Sequence, residues 1–277
     1  MSTKTVTSII NVGKTYQFVD NGEQMRGGMK DVFFSPDKSY VVAFYRDPQD
    51  FNSKERLKKI VTQYFESFFI RDSVSGNFYK ELYSWPTDVV ELDKKIGIVV
   101  PCYHRNFFFK KGYANNDLLK GKEKNGKWFA SAKFRAQQSK SKLEESELGN
   151  WLSYFQVCVN IARGVKRLHS AGLAHSDLSY NNVLIDPVSK SAAIIDIDGL
   201  VVPGLFPPDV IGTADFIAPE VMATKHLSKN DPNRKLPNQK TDLHALAVLI
   251  YMYLLYRHPL RGGNYFGAME TEKEEDL

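Results

Sequence analysis

The chain has 277 residues, of which 43% are hydrophobic and 25% are charged, and its formal net charge is +5. This composition is that of an ordinary globular protein, and it excludes a chain disordered throughout, a collagenous fibre and a disulfide scaffold. The modest positive charge permits an anionic ligand but does not demand nucleic acid.

Three features bear on where the protein works. The first ten residues lack a basic segment followed by a long apolar run, so no signal peptide is expected. The most apolar run, residues 245–255, is too short to span a bilayer. Cys102 and Cys158 lie in apolar runs, which is typical of reduced thiols. We therefore expect a cytoplasmic protein with no membrane or nucleic-acid partner.

In chain order, the first hundred residues predict a strand-rich unit with one helix. A Ser-Pro-Asp turn signal at 35–37 separates the apolar runs 32–34 and 40–45, which predict two strands of a meander. Residues 54–69 place apolar side chains at helical spacing. Further strands are predicted at 78–83 and 96–102.

A basic segment follows at residues 105–147. Its basic side chains are Arg105, Lys110, Lys111, Lys120, Lys122, Lys124, Lys127, Lys133, Arg135, Lys140 and Lys142. Asn125-Gly126 predicts a hairpin turn within it. Two interpretations stay open. The segment is either a solvated surface insertion, or residues 105–142 form a docking surface for an acidic partner.

The remaining pattern is mainly helical. Apolar spacing predicts a helix over 148–169 that stops before Gly172, and a strongly apolar helix over 241–256. Between them, short strands are predicted at 183–185 and 192–195. An apolar, proline-rich loop follows at 199–212.

The residues that carry chemistry lie around these short strands. Asp177 stands five residues before Asn182 in a loop after a helix, and Asp196-Ile197-Asp198-Gly199 ends the second strand. Phosphoryl transfer with bound Mg²⁺ uses one carboxylate at the attacking hydroxyl, and an amide and a second carboxylate on the metal. The order and spacing therefore favour a phosphoryl-transfer site over ordinary turn residues.

At this point the chain resembles the eukaryotic-type protein kinase superfamily, from about residue 27 to about residue 260. The family motif H-x-D-L-x-x-x-N matches residues 175–182, and D-F-G matches Asp196-Ile197-Asp198. Its G-T-x-x-[YF]-x-A-P-E motif matches residues 212–220, and the start of its buried helix matches Thr241-Asp242.

The resemblance implies an α+β, two-lobed, protein-kinase-like fold. A small antiparallel-sheet lobe with one helix would span residues 1–102, and a mainly helical lobe would span 103–277. The second lobe would contain the basic insertion 105–147, the catalytic loop 175–182, the metal loop 196–199, the activation segment 199–220 and the buried helix 241–256. The family's later helices have no counterpart after Arg261, so this lobe is expected to be trimmed or minimal.

The resemblance also implies roles for single residues. Asp177 would orient the substrate hydroxyl, and Asn182 and Asp196 would bind Mg²⁺ or Mn²⁺. Thr213 would brace the catalytic loop. Asp198 replaces a glycine of the family and is either a second metal ligand or a solvated turn acid. The residues implied to cover ATP are Gly27, Gly28, Lys30, Val32, Ala43, Val100, Cys102 and Leu184.

Three further residues carry structural roles in the resemblance. Asp242 would hold the backbone of the catalytic loop from below, although it also fits a helix N-cap. His175 is interpreted as a packed scaffold histidine rather than a proton-transfer group. Glu220 normally meets an arginine in the region that follows residue 261.

The main departure from the family is the missing phosphate-binding lysine. Tyr45 stands at that strand position, and a phenol carries no charge at pH 7. Because a few family members place a lysine in the glycine-rich loop instead, we predict that Lys30 reaches the nucleotide phosphates. The alternative is a solvated Lys30 and a crippled site. Glu66 is the best candidate for the helix acid that pairs with this lysine, unless it is a solvated helix residue.

The activation segment departs as well. Ser176 stands where many kinases have arginine and Ser179 where Ser/Thr kinases have lysine, and residues 200–212 contain no Ser, Thr or Tyr. Phosphorylation therefore cannot order that stretch, and we predict that apolar contacts hold it.

The function predicted from these residues is ATP-dependent transfer of the γ-phosphoryl group to a protein Ser or Thr hydroxyl. One alternative is a pseudokinase scaffold, and a second is a small-molecule kinase of the aminoglycoside type. Residues 99–101, 195–199 and 258–263 are similar to bacterial kinases that accompany tellurite-resistance-type phosphatases and metal-binding-domain proteins. That likeness implies such partners beside the protein substrate.

Overall fold

The computed structural model describes residues 2–20, 25–26, 29–70, 76–114, 116–131, 142–202, 205–208, 211–228 and 231–261. Gly27 and Gly28, two of the predicted nucleotide-covering residues, lie outside these ranges. An antiparallel sheet forms the first part of the chain and helices dominate the second, so the predicted α+β class is confirmed.

The sheet has seven antiparallel strands in the order β2-β1-β6-β7-β5-β4-β3. They are β1 (Ser2–Ser8), β2 (Thr15–Asp20), β3 (Met25–Arg26), β4 (Lys30–Phe34), β5 (Tyr40–Tyr45), β6 (Asp88–Leu92) and β7 (Lys95–Pro101). The predicted meander and the strand at 96–102 are confirmed as β4, β5 and β7. The hairpin of β1 and β2 joins the sheet through buried Asp88, which accepts hydrogen bonds from Ser8 Oγ at 2.7 Å and Tyr16 Oη at 2.8 Å.

One helical stretch packs against the sheet through Leu57 and Val61. It begins at the N-cap Asp50 and runs through α1 (Phe51–Lys59), a π-helical turn (Ile60–Tyr64) and α2 (Phe65–Phe69). The predicted helix at 54–69 is therefore confirmed. The predicted strand at 78–83 is wrong, because α3 (Gly76–Leu82) is helical there. The apolar residues of this segment are Phe78, Tyr79, Leu82 and Tyr83, with Lys80 and Glu81 between them, and this is helical spacing.

Two capped helices form the second part. Asn150 begins α4 (Trp151–Ser170) with a capping box, and Gly172, at φ +78°, follows its end. After β8 (Val183–Asp186), β9 (Ser191–Ile194) and α5 (Pro219–Thr224), Asn238 caps α6 (Gln239–Leu255). No helix within the described ranges is long and apolar enough to cross a membrane. Both cysteines are free thiols.

The basic insertion is not simply a solvated surface. Phe109, Phe129 and Leu143 are at most 2% exposed and belong to the large core. The predicted hairpin at Asn125-Gly126 is wrong: Asn125 caps a short 3₁₀ helix, Gly126–Phe129. A Cβ on Gly126 would lie 2.0 Å from Tyr253 Oη, so the chain passes too close to α6 for any larger residue.

Lys124 fits neither interpretation of the basic segment, because a solvated surface and a docking surface both need an exposed side chain. Its side chain is 3% exposed, and its Nζ lies 2.7 Å from Asp186 Oδ1 and 2.8 Å from Glu147 Oε2. A buried ammonium needs such partners because desolvation of an unpaired charge is costly. This triad (Lys124, Glu147 and Asp186) fastens the insertion to β8.

Candidate active site

The catalytic loop holds Asp177 from both sides. Asn182 Nδ2 donates to Asp177 Oδ2 at 2.9 Å and to the Asp177 carbonyl at 2.7 Å. The backbone N–H and the Oγ1 hydroxyl of Thr213 donate to Asp177 Oδ1 at 2.6 and 2.8 Å. The carboxylate therefore has a fixed orientation, and three predicted site residues lie together.

Asp242 supports the same loop from below. Its buried carboxylate accepts hydrogen bonds from the backbone N–H groups of His175 at 2.7 Å and Ser176 at 3.0 Å. Ser176 has φ +68°, a left-handed conformation that is costly for a serine unless its surroundings fix it. The N-cap interpretation of Asp242 is wrong, because Asn238 caps α6. His175 is 2% exposed, in keeping with a scaffold role.

The metal loop lies directly beside the catalytic loop. Ile195 N donates to the Asn182 carbonyl at 3.0 Å, and Asp196 follows in a left-handed conformation with φ +62°. Because the amide nitrogen of Asn182 is bound to Asp177, its Oδ1 is the atom left for a cation. The Asp196 side chain is 47% exposed. Together these oxygen atoms fit Mg²⁺, which takes oxygen ligands.

Asn182 and Asp196 supply few protein ligands, which suits a metal ion that the substrate phosphates also bind. Among the described residues, no group of three or more His, Cys, Asp or Glu side chains could enclose a metal ion. Mg²⁺ at phosphoryl-transfer sites usually binds one or two carboxylates and completes its coordination with phosphates and water. Asn182 and Asp196 would be sufficient on that basis.

Lys30 begins β4 and reaches across to the metal loop. Its Nζ lies 3.0 Å from Asp196 Oδ1 and 2.5 Å from Asp198 Oδ2. The Lys30 side chain is 16% exposed, so the interpretation of a solvated turn lysine is wrong. Tyr45 stands directly opposite Lys30 in the β4–β5 register, and its phenol donates to the same Asp198 oxygen.

Burial and charge shift the pKa of Lys30 and of Asp198 in opposite directions. Burial alone would lower the pKa of Lys30, but the charges of Asp198 and Asp196 outweigh it and raise that pKa above 10.5. Burial and the Asp198 charge raise the pKa of Tyr45 well above 10. Asp198 is 4% exposed, so it is not a solvated turn acid. Burial would raise its pKa, yet Lys30 keeps it below 3.8.

The predicted nucleotide-covering residues divide between two surfaces. Val32, Ala43 and Val100 share one face of the sheet with Lys30 and contribute to one apolar cluster. Leu184 is fully buried in β8, in a second cluster with Phe107 and Ala193. The part-buried Cys102 follows β7, where its N–H donates to the Ser39 carbonyl at 3.0 Å.

Two predicted structural residues lie apart from the site. Glu66 is exposed on α2, whereas Lys30 forms its ion pairs with the metal loop. Glu220 is exposed in the first turn of α5. In the same part of the chain, Arg261 forms an ion pair with Asp215. The sequence gives little signal for that pair, since its members are 46 residues apart.

The activation segment follows the predicted apolar packing in part. Val201, Val202 and Phe206 are buried, whereas Leu205 is 61% exposed. Lys59 Nζ lies 5.2 Å from the centroid of the Phe206 ring, which joins the segment to α1. The sequence carries no signal for this contact, because a lysine on an amphipathic helix is usually solvated.

Comparisons with known proteins match the chain to protein kinases. The model of the family described as "Protein kinase domain" matches residues 125–275. A "Serine/threonine-protein kinase PknD" of Chlamydia felis is 26% identical over 258 residues, which is 85% of this chain and 24% of that protein. A "Dual serine/threonine and tyrosine protein kinase" of Apis mellifera is 29% identical over 109 residues, 39% of this chain and 10% of that protein. The chain thus spans about a quarter or less of these relatives.

Solved structures agree on the fold. The kinase domain of a Toxoplasma gondii specific rhoptry antigen aligns with a TM-score of 0.58 and 15% identity, over 98% of this chain and 74% of that one. The structure titled "PF14_0431, kinase domain" aligns with a TM-score of 0.52 and 12% identity, over 87% and 65%. At such identities the alignments show the fold alone, which is the predicted two-lobed one. With a family model that covers residues 125–275, the chain belongs to the protein kinase domain family.

Proposed function

We propose that the chain is an ATP-dependent protein kinase that transfers the γ-phosphoryl group of Mg·ATP to a protein Ser or Thr hydroxyl. The observation that carries this proposal is the convergence of Lys30, Asp196 and the Asp177–Asn182 pair from three separate segments. A fold that only binds partners has no chemical need for this combination.

Asp177 is the group that would meet the substrate hydroxyl. Thr213 and Asn182 hold its carboxylate in one orientation, so it can accept the hydroxyl proton without first paying to order its side chain. The hydrogen bond to Thr213 also ties the activation segment to the catalytic loop. This supports a site shaped by residues 212–220, where a polypeptide substrate binds in the family the chain resembles.

Lys30 supplies the positive charge that Tyr45 cannot. The two residues are directly opposed on β4 and β5, so Lys30 lies beside the place from which the family's strand lysine acts. Asn182 and Asp196 would hold Mg²⁺, which supplies charge neutralisation at the phosphates when bound. Asp196 would then exchange its exposed contact with Lys30 for the metal, and Lys30 would turn to the phosphates.

The choice of Ser or Thr rests on relatives that are named serine/threonine kinases. The exposed lysines of the insertion, Lys110, Lys111, Lys120 and Lys122, support docking of an acidic protein there. The likeness to bacterial kinases with tellurite-resistance-type partners makes a phosphatase or a metal-binding-domain protein a suitable candidate. Measured binding of such partners to variants with these lysines neutralised would test this.

Transfer of labelled phosphate from [γ-³²P]ATP to the chain itself and to casein tests the proposal. Wild-type protein should incorporate label with Mg²⁺ or Mn²⁺, and Asp177→Ala should lower the rate by about 10²–10⁴-fold, the usual contribution of a positioned acid or base. Label incorporation that Asp177→Ala leaves unchanged would contradict the proposal.

A pseudokinase is the second candidate, because Lys30 pairs with the metal-binding Asp196 and Tyr45 adds no charge. Such a scaffold would bind ATP, seen as a raised melting temperature, without transferring label to casein or to small-molecule hydroxyls.

A further inference from the structure

We propose that Asp198 is a positioning residue, which holds the Lys30 ammonium beside Asp196 and so replaces an acid from the helical stretch 51–69. This inference rests on the proposed function of Lys30. The acid that anchors the lysine would then belong to the same loop as the metal ligand Asp196.

The first support is the difference between the two acids that Lys30 contacts. The Asp198 side chain is 6% exposed, and that of Asp196 is 47% exposed. Charge attraction is much stronger in a buried, low-dielectric position than at a solvated one. The contact with Asp196 can therefore open when phosphates arrive, while the contact with Asp198 persists.

The second support is the way Asp198 is itself held. Tyr45 donates to the same oxygen that accepts from Lys30, and Lys30 Nζ lies 5.2 Å from the centroid of the Tyr45 ring. Residues opposed in an antiparallel register have side chains on the same face, so β4 and β5 deliver both donors to one carboxylate. Tyr45, at the position of the missing lysine, thus keeps the replacement lysine's partner in place.

The third support is the location of Glu66. It is exposed on α2, and in the described part of the chain both ion pairs of Lys30 are made with the metal loop. A lysine anchored there does not depend on how the helical stretch is placed. If Asp198 were instead a second metal ligand, its removal would raise the Mg²⁺ concentration that the reaction needs.

Rate measurements at saturating ATP separate these roles, with Lys30→Met, Asp198→Asn, the double variant and the exposed Asp117→Asn as a matched control. We expect Asp198→Asn to lower the rate by about 10–100-fold, as loss of a supporting partner usually does. The half-saturating Mg²⁺ concentration should stay unchanged, and Asp198→Asn should add no loss to Lys30→Met. Tyr45→Phe should lower the rate by about tenfold or less, since Lys30 still pairs with Asp198.

Several outcomes would overturn the inference. The first is a higher half-saturating Mg²⁺ concentration in Asp198→Asn. The second is a rate in the double variant that falls by the product of the two single effects. The third is a Glu66→Gln variant whose rate falls as much as that of Asp198→Asn. Melting temperatures without nucleotide add a readout independent of activity: the double variant should lose clearly less than the two single variants together. If wild-type protein transfers no phosphate, the proposed function fails, yet this melting cycle still decides whether Asp198 anchors Lys30.

Discussion

Replacement of Lys124 by methionine should strongly destabilise the protein. The Lys124 Nζ lies 2.7 Å from Asp186 Oδ1 and 2.8 Å from Glu147 Oε2, and the three side chains are 3–5% exposed. Methionine matches the length of the lysine stem but carries no charge. Two buried carboxylates would then face each other without a cation, which is far more costly than the loss of a surface ion pair.

The structure allows the size of this effect to be bounded. The repulsion between the two carboxylates can be relieved by protonation of Glu147, whose ordinary pKa is 4.5. At pH 7 that protonation costs about 3.4 kcal/mol, at about 1.36 kcal/mol for each pH unit. Breaking a buried ion pair typically costs about 3–5 kcal/mol of folding stability. Because protonation limits the cost to about 3.4 kcal/mol, we expect a loss of about 3 kcal/mol. For a chain of this size, that corresponds to a fall in melting temperature of about 6–12 °C.

Thermal melts at pH 7 and pH 4 would test this, with Lys122→Met, an exposed lysine two residues away, as control. Burial would raise the pKa of Glu147 and Asp186, but Lys124 keeps both below their ordinary values of 4.5 and 3.8. Their contribution to stability is therefore complete at pH 7 and is lost as the pH falls below those values. The difference between wild type and Lys124→Met should narrow at pH 4. A variant no less stable than Lys122→Met, or an equal difference at both pH values, would refute the reasoning.

Three further changes can be tested by similar means. Gly126→Ala should lower the free energy of unfolding by about 1–3 kcal/mol, because its Cβ would lie 2.0 Å from a phenol oxygen, whereas Gly199→Ala meets open space; equal melting temperatures would contradict this. Asp88→Asn should destabilise the protein at pH 7, and the loss should shrink below pH 3.8, since hydrogen bonds outweigh burial and lower the Asp88 pKa; a loss independent of pH would count against it. Phe206→Ala should speed hydrogen exchange at the backbone amides of Leu205 and Phe206, which both donate to the Val202 carbonyl, whereas Leu205→Ala, already 61% exposed, should not; equal exchange rates in the two variants would contradict the idea that apolar contacts hold the segment.

The catalytic and metal loops were the most predictable part of the molecule. Their geometry depends on residues close in sequence, such as Asp177 and Asn182, and on a short strand pair that sets the loops side by side. The hairpin of β4 and β5 was predicted from its turn signal as well, but its register was not. It is this register that opposes Lys30 and Tyr45.

The missed features depend on contacts distant in sequence. A charged residue such as Lys124 is solvated by default, and only the meeting with Asp186, 62 residues later, makes its burial favourable. Asp198 was ambiguous for the same reason, because Lys30 and Tyr45 reach it from more than 150 residues away. The helix α3 was missed although the spacing of Phe78, Tyr79, Leu82 and Tyr83 is helical, because aromatic residues also favour strands.

The rate of γ-phosphoryl transfer by Lys30→Met tests most directly the claim that a lysine outside the usual strand position serves the phosphates. Lys95→Met, an exposed lysine on β7, is the matched control. We predict that Lys30→Met lowers the rate by about 10²–10³-fold, as loss of one fixed charge-stabilising group does, while Lys95→Met stays within about twofold of wild type. Equal rates for the two variants, in a wild-type protein that transfers phosphate, would contradict the claim.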